Sequence, residues 1–357
     1  MQSQRLLSLD ILRGITVAGM ILVNNGWGES FEMLGHSEWN GMTPCDLVFP
    51  FFLFIMGISC YLSLVKSEFK PTPQVIRRIV KRTVLLFAIG LFINWFDHAI
   101  EGDLLCFGHL RIWAVMQRIA VCYGIVSLFA LFCNHKYTIP VVIGLLAIYT
   151  AILVYGHGYA QDASVNILAQ VDLNLFGYDH VYHKSPVDPE GLVGTISSVA
   201  HVLLGFYCGM LIRQKETVEQ KVLALFVVGT VLVIGGYLLT YGLPLNKRIW
   251  SPSYVMVTCG LASLLQAFLM YVIDIQKKSK WTTFFHIFGV NALALYVSSE
   301  LLAILLGHVG VSEWVYTVIH AVISPLKWAS LAYAVYFVLL NGLIGYALYR
   351  KKIYIKL

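Results

Sequence analysis

The sequence predicts an all-α protein, a polytopic membrane bundle of about ten helices with both termini cytoplasmic. Three observations predict it. First, 58% of the residues are hydrophobic and only 12% are charged, against about 25% charged in soluble domains. Second, ten apolar runs have spanning length, near 14–33, 44–65, 83–96, 113–133, 138–156, 191–212, 222–241, 252–273, 283–306 and 328–349. They are too long and unbroken for the alternating strands of an outer-membrane barrel. Third, the gaps between runs alternate in charge. With the N-terminus cytoplasmic, 19 of the 25 Lys and Arg residues fall on the cytoplasmic side, from Arg5 to Lys356. Only Arg111, Arg118, Lys184, Lys247, Arg248 and Lys327 fall outside. That asymmetry fixes the orientation and favours an even number of spans. The net charge of +6 is thus a topology signal and does not indicate a nucleic-acid partner.

The first run reads as an uncleaved span, because it has no small-x-small cleavage site and Asp10 and Arg13 precede it. Asp10 and Arg13 are one turn apart at its cytoplasmic mouth. Such a pair either snorkels or holds a phosphate near the membrane face. Asn24 is expected about three turns along this span. A short polar loop then carries Leu34-Gly35-His36-Ser37-Glu38-Trp39-Asn40-Gly41 and leads to Asp46 at the head of the second span. Polar groups at membrane depth are costly and mark function.

Residues 66–82 read as the most basic loop, broken by Pro71 and Pro73. It is a topology determinant touching anionic lipid, or a dock for an anionic cofactor. The third run, 83–96, is the shortest. Beyond it, Leu110 to Arg118 reads as helical, with Arg111 and Arg118 two turns apart on one face. A buried Arg118 needs an acidic or hydroxylated partner. Residues 157–190 form the longest loop. It ends in Tyr178-Asp179-His180-Val181-Tyr182-His183 and Asp188-Pro189-Glu190-Gly191, an aromatic and acidic surface suited to a hydroxylated or cationic ligand. One His-x-x-His gives no metal site, and the seven cysteines form no C-x-x-C and no disulfide framework. The turn Pro244-Leu245-Asn246-Lys247-Arg248-Ile249-Trp250 and the intramembrane Glu300 complete the polar set. Glu300 is expected to pair with Lys247, Arg248 or Arg118.

The unusual polar residues therefore gather at the outer ends of spans: Asn24, His36, Asp46, Arg118, His180, Asp188, Glu190, Asn246, Lys247 and Glu300. An outward chamber lined by imidazole, carboxylate and amide groups fits acid–base catalysis or polar-solute binding.

Several of these pieces resemble the heparan-α-glucosaminide N-acetyltransferase family. They are Leu9-Asp10-Ile11-Leu12-Arg13-Gly14, Val23-Asn24, His36-Ser37-Glu38-Trp39-Asn40-Gly41 and Asp46-Leu47-Val48-Phe49-Pro50. Arg111-Ile112, Gln117-Arg118, Asp179-His180, Asp188-Pro189-Glu190-Gly191, Leu245-Asn246-Lys247 and Trp250-Ser251 continue the match nearly end to end. The resemblance implies transfer of acetyl from cytosolic acetyl-CoA to a glucosamine amine across the membrane. The family's active histidine falls on His36 and its membrane asparagine on Asn24. Two departures stand out. The large N-terminal lumenal domain and additional first span of the animal enzyme are expected to be missing, and a histidine of that enzyme is replaced here by Ser299.

The residue chemistry agrees with this implication. A protonated amine is a poor nucleophile, and a neutral imidazole, ordinarily titrating at about 6.5, can take its proton. His36 is then the general base, or a transient acetyl carrier, with Asp46 or Glu38 orienting it. Asn24 donates to the oxyanion. Arg118, His180, Asp188, Glu190, Asn246, Lys247 and Glu300 bind the sugar. Asp10 and Arg13 face CoA, and no metal takes part. The alternative is an amino-sugar permease using the same chamber without chemistry. The whole chain, 1–357, reads as one transmembrane acyltransferase domain. It is expected in a bacterial inner membrane, with a lysosome-like membrane as runner-up. Its acceptor is an amino sugar or glycan end, its solvent is the bilayer, and a homodimer is left open.

Overall fold

The computed structural model describes residues 6–355 and contains only helices and connecting loops among them. Arg5 and Lys356, counted above on the cytoplasmic side, lie outside the described residues. Thirteen α-helices follow in order: α1 (Leu7–Asn24), α2 (Val48–Leu64), α3 (Pro73–Ile100), α4 (Val115–Phe132), α5 (Thr138–Tyr155), α6 (Ile167–Phe176) and α7 (Thr195–Gln214). Then come α8 (Val218–Leu239), α9 (Pro252–Leu269), α10 (Thr283–Val290), α11 (Ala292–His308), α12 (Val311–Val322) and α13 (Leu326–Arg350). Among the described residues, nine stretches are long and apolar enough to cross a membrane. A tenth arises if Lys280–Val290 and Ala292–His308, bent by 72° at Asn291, form one broken span. The protein is an α-helical polytopic membrane bundle.

The bundle has an inside and a lipid face. Helices α1, α2, α4, α7 and α9 are mostly buried, whereas α3, α5 and α8 expose Val84, Phe92, Ile143, Ile148, Val231 and Leu238. With hydrocarbon outside, burying apolar area gives helices little reason to pair, so close backbone approach through small residues holds them. A Cβ on Gly57 of α2 would collide with the Val202 carbonyl of α7, and one on Gly205 with the Phe54 carbonyl. The same device joins α1 to α10, where Gly14 meets the Phe285 carbonyl and Gly289 meets the Asp10 carbonyl.

The elements depart from the sequence expectation in four places. Helix α1 starts at Leu7 and stops at Asn24, so Asn24 is its last residue rather than a mid-span residue. Asn25 folds its amide back onto the Ile21 carbonyl at 2.8 Å, and Gly28 follows at φ +73°. Both end a helix. Helix α3 begins at Pro73, inside what reads as a basic loop. Thr72 accepts from the Val75 N–H and Pro73 fills the first position. Arg77, Arg78 and Lys81 extend outward from its exposed first turns. Segment 111–114 is not helical, because Ala114 is extended at φ −154° and α4 starts only at Val115. Arg111 and Arg118 therefore do not share a helix face.

The fourth departure is the 157–190 loop, which is a folded cap. Asn166, fully buried, opens α6 by accepting from the Leu168 N–H and donating to the Gly158 and Ala160 carbonyls. Trp39, Tyr149, Leu153, Leu168, Val187 and Ile249 form a small core of their own beneath it. The Trp39 indole N–H donates to the Tyr159 carbonyl at 3.0 Å. This cap, the His36 loop and the 244–251 turn therefore pack as one unit over one end of the bundle.

Candidate active site

The site is built where that unit meets α1, α3 and α11. A cavity of about 650 Å³ is lined by Asn24, His36, Asp46, Glu190, Lys247 and Glu300. Asn94, Arg111, Gln117, Tyr182, Lys184, Arg248 and Tyr296 complete its polar wall. The volume falls within the usual range for small-molecule sites.

Asp46 sits in a 3₁₀ turn, Pro44–Leu47, that opens with a capping box. The Thr43 side chain and the Asp46 side chain each bond the other residue's backbone. Asp46 is fully buried, yet its carboxylate has several donors. Oδ2 accepts from Ser37 N–H at 3.1 Å, Thr43 N–H at 3.0 Å and Thr43 Oγ1 at 3.1 Å. Oδ1 lies 2.8 Å from His36 Nδ1 and 3.5 Å from Lys247 Nζ. A carboxylate only accepts, so this contact assigns the imidazole hydrogen to Nδ1 and leaves Nε2 with a lone pair. The His36 ring is 49% exposed, so that lone pair is reachable. Tyr254 Oη donates to the Asp46 carbonyl at 2.5 Å, and Cys45 Sγ lies 3.1 Å from His36 Nδ1.

Lys247 reaches the same ring from the neighbouring 244–251 turn. Its Nζ is 3.0 Å from Nδ1 and 3.3 Å from Nε2. Asn246 does not line the cavity. It is fully buried and stitches two loops together. Its side-chain oxygen accepts from Ile249 N–H, and its Nδ2 donates to Asn40 Oδ1, both at 3.2 Å. The Gly41 N–H adds a 2.7 Å bond to the Leu245 carbonyl. The loop carrying His36 and the turn carrying Lys247 are thereby fixed to each other.

A second polar cluster faces the cavity from the cap. Arg111 donates from Nη2 to Asp188 Oδ1 at 2.7 Å and to Glu190 Oε2 at 2.9 Å, and from Nε to Asp188 Oδ2 at 3.3 Å. Its guanidinium lies 4.6 Å from the Tyr182 ring centre. Asp188 also accepts from the backbone N–H groups of Tyr182 and Glu190. Burial pushes the Glu190 carboxyl up, but the charges of Arg111, Arg118 and Lys247 outweigh it and hold the group below the usual carboxylate range. Beneath this cluster, Asp172 takes the Leu192 N–H at 3.0 Å and is raised to about 6, chiefly by burial.

At the membrane-side wall, Asn24 Nδ2 donates to Glu300 Oε1 at 3.2 Å. Tyr296 is the other hydrogen-bond partner of that carboxylate. Glu300 thus meets an amide and a phenol rather than Lys247, Arg248 or Arg118.

Five of the remaining candidates lie off the cavity. Arg118 is 1% exposed, donates from Nη2 to the Gly191 carbonyl at 2.9 Å, and lies 5.1 Å from the Trp250 ring centre. A carbonyl and a ring face stand where an acid or hydroxyl was expected. His180 Nδ1 donates to the Leu110 carbonyl at 2.7 Å and its own carbonyl accepts from Ile112 N–H. It pins the extended 110–112 segment that presents Arg111. Asp188 stands behind Arg111. Asp10 and Arg13 are at the other end of α1, about 21 Å of helix rise from Asp10 to Asn24. Arg13 reaches Asp10 at 3.2 Å, Ser59 Oγ at 2.9 Å and the Gly289 carbonyl at 3.3 Å, beside the α10–α11 break. Among the described residues, no three His, Cys, Asp or Glu side chains are arranged to hold a metal ion.

Sequence reasoning did not select Arg111, Tyr182, Tyr296, Asn94 or Arg248 as site residues. The signal for Arg111 was present: a cation on the outer side, followed about 80 residues later by Asp188 and Glu190. Tyr296 lies one helical turn before Glu300, a spacing that puts both on one face.

This geometry is accompanied by similarity to known proteins. Residues 5–241 match the family described as heparan-alpha-glucosaminide N-acetyltransferase, catalytic. The mouse heparan-alpha-glucosaminide N-acetyltransferase is 28% identical over 357 aligned residues, covering 84% of this chain and 54% of the relative. The human protein of that name is 28% identical over 362 residues, covering 83% and 53%. The chain spans about half the length of the curated relatives it matches. On the extent of the family match, the chain belongs to the heparan-alpha-glucosaminide N-acetyltransferase catalytic family.

Proposed function

We propose that this protein is a transmembrane N-acetyltransferase, acting as one catalytic unit over residues 1–357. It moves acetyl from cytosolic acetyl-CoA to the amine of a glucosamine-type sugar on the opposite side of the membrane. The observation that carries the reading is the His36–Asp46 pair, with Nε2 of a half-exposed imidazole at a polar cavity. The family membership supports the same reaction class.

When bound, acetyl-CoA supplies an acetyl thioester; the chain's residues do the rest. Nε2 of His36 takes the proton that keeps the acceptor amine unreactive. Asp46 holds the Nδ1–H tautomer and faces the imidazolium that forms. Asn24, whose Nδ2 now donates to Glu300, turns that donor toward the oxyanion. Glu190 and Glu300, with Tyr182 and Tyr296, bind sugar hydroxyls. Arg118, His180, Asp188 and Asn246 act on the acceptor indirectly, by holding the cap and the 244–251 turn. Asp10 and Arg13, with the basic start of α3, suit the anionic end of CoA on the cytoplasmic side. A bacterial inner membrane fits this vectorial arrangement.

The test is transfer by purified protein in detergent. Free CoA thiol and N-acetylglucosamine should appear together only when acetyl-CoA and glucosamine are both supplied. Glu190→Gln should raise the KM for glucosamine several-fold while leaving acetyl-CoA binding in place. Absence of any acetylated sugar over a range of amino-sugar acceptors would overturn the reading.

A further inference from the structure

The Lys247 side chain is 12% exposed, and its Nζ lies 3.0 Å and 3.3 Å from the two ring nitrogens of His36. Near-equal distances to both nitrogens place Nζ against the ring face beside Nε2, and a rotation of the lysine side chain brings it to the in-plane Nε2 lone pair that the Asp46 contact leaves open. A primary amine thus already rests beside the nitrogen that is to take a proton from the acceptor amine. Its position is built into the fold. Asn246 and the Gly41–Leu245 bond tie the turn carrying Lys247 to the loop carrying His36, and Asp46 attracts the ammonium from 3.5 Å. Such fixed placement turns a slow encounter between an amine and a base into an intramolecular one.

We propose that Lys247 is a self-acetylation site, acetylated on Nζ at the thioester when no amino sugar fills the cavity. The inference rests on the reading of His36 as the base for acetyl transfer. His36 Nε2 takes one proton from the Lys247 ammonium. The freed amine attacks the thioester carbonyl, the C–N bond forms and the C–S bond breaks. Of the two protons lost from nitrogen, one ends on the CoA thiolate and the other reaches solvent. The product is an amide, which does not pass its acetyl group onward, so this is a dead end rather than a relay. It removes the positive charge facing Asp46 and leaves an acetamide in the acceptor's place. An amino sugar prevents it by occupying Nε2 first.

Peptide mass spectrometry after incubation with trideuteroacetyl-CoA, with no sugar present, tests the proposal. Lys184 lines the same cavity, is exposed, and serves as the internal control. Lys247 should label at least about 10²-fold faster than Lys184, and His36→Gln should abolish that advantage. Excess glucosamine should suppress it. A wild-type protein that acetylates glucosamine but leaves Lys247 unlabelled would overturn the self-acetylation alone. Labelling that is equal at Lys247 and Lys184, or independent of His36, would also overturn it. If neither sugar nor lysine takes acetyl from acetyl-CoA, N-hydroxysuccinimidyl acetate replaces the donor. His36-dependent preference for Lys247 then supports the site while the acetyl-CoA reading falls, and uniform labelling of the lysines sinks both.

Discussion

Two polar clusters face the same cavity and differ in one respect. In the Arg111–Asp188–Glu190 cluster the groups satisfy one another: a bidentate guanidinium, two carboxylates and two backbone N–H groups. In the His36–Asp46–Lys247 cluster the carboxylate is saturated, but the half-exposed imidazole keeps a lone pair on Nε2, with the Lys247 ammonium held beside the ring. A saturated network rigidifies; an unsaturated one can exchange a proton with a ligand. Under the proposed function, the chemistry belongs at His36 and the Arg111 cluster is its frame.

The largest effect should come from the unsaturated side. His36→Gln should lower transfer by about 10²–10⁴ with the protein still inserted and binding acetyl-CoA, as a lost general base does. Near-normal turnover in a purified assay would erase the distinction between the clusters. The frame should fail in the opposite manner. Arg111→Gln leaves two buried carboxylates without their cation, which typically costs about 3–5 kcal/mol. A markedly lowered Tm is expected, and an unchanged Tm with lost activity would move Arg111 into the chemistry. Asn24→Ala probes the wall between them. A lost oxyanion donor costs about 10²–10³ in kcat, without altering the acid side of the pH–rate profile. A change confined to KM would make Asn24 a sugar ligand instead.

The smallest effect belongs to Asp172 under the frame. Its carboxyl is raised to about 6 by burial, so the folded state holds the proton more tightly than the unfolded chain does. Its contribution to stability is therefore complete below the ordinary value of about 4 and lost as pH rises through about 6. Asp172→Asn should flatten that part of the stability profile by roughly 1–2 kcal/mol. The check is Tm measured at pH 5 and pH 7.5 for both proteins. An identical pH dependence in the variant would assign the proton elsewhere.

Much of this arrangement is legible in the sequence, for physical reasons. Spans announce themselves because hydrocarbon tolerates little else, and the intramembrane Glu300 announces a polar wall for the same reason. His36, Asp46, Glu190, Lys247, Asn24 and Glu300 could be listed because they are polar residues at span ends, and the fold gathers all six around one cavity. Partner choice was not legible. Glu300 meets Asn24 and Tyr296 because α1 ends a full nine residues before its apolar run does, at a cap made by Asn25. Hydropathy does not register such a cap. Arg118 and Asn246 read as ligands because polarity was visible and direction was not. Helix α4 begins only at Val115, so Arg118 does not share a face with Arg111, and the buried Asn246 spends its amide on Asn40. The cap over 157–190 escaped notice because a ten-residue helix held by one buried asparagine has too short a pattern to stand out.

The most direct test of the account is vectorial transfer in sealed proteoliposomes. Acetyl-CoA is supplied on the side bearing the two termini and glucosamine on the side bearing His36. N-acetylglucosamine should appear on the His36 side and CoA thiol on the other, both abolished by His36→Gln. Glucosamine crossing the membrane unacetylated, at equal rates with and without acetyl-CoA and in both proteins, would contradict it.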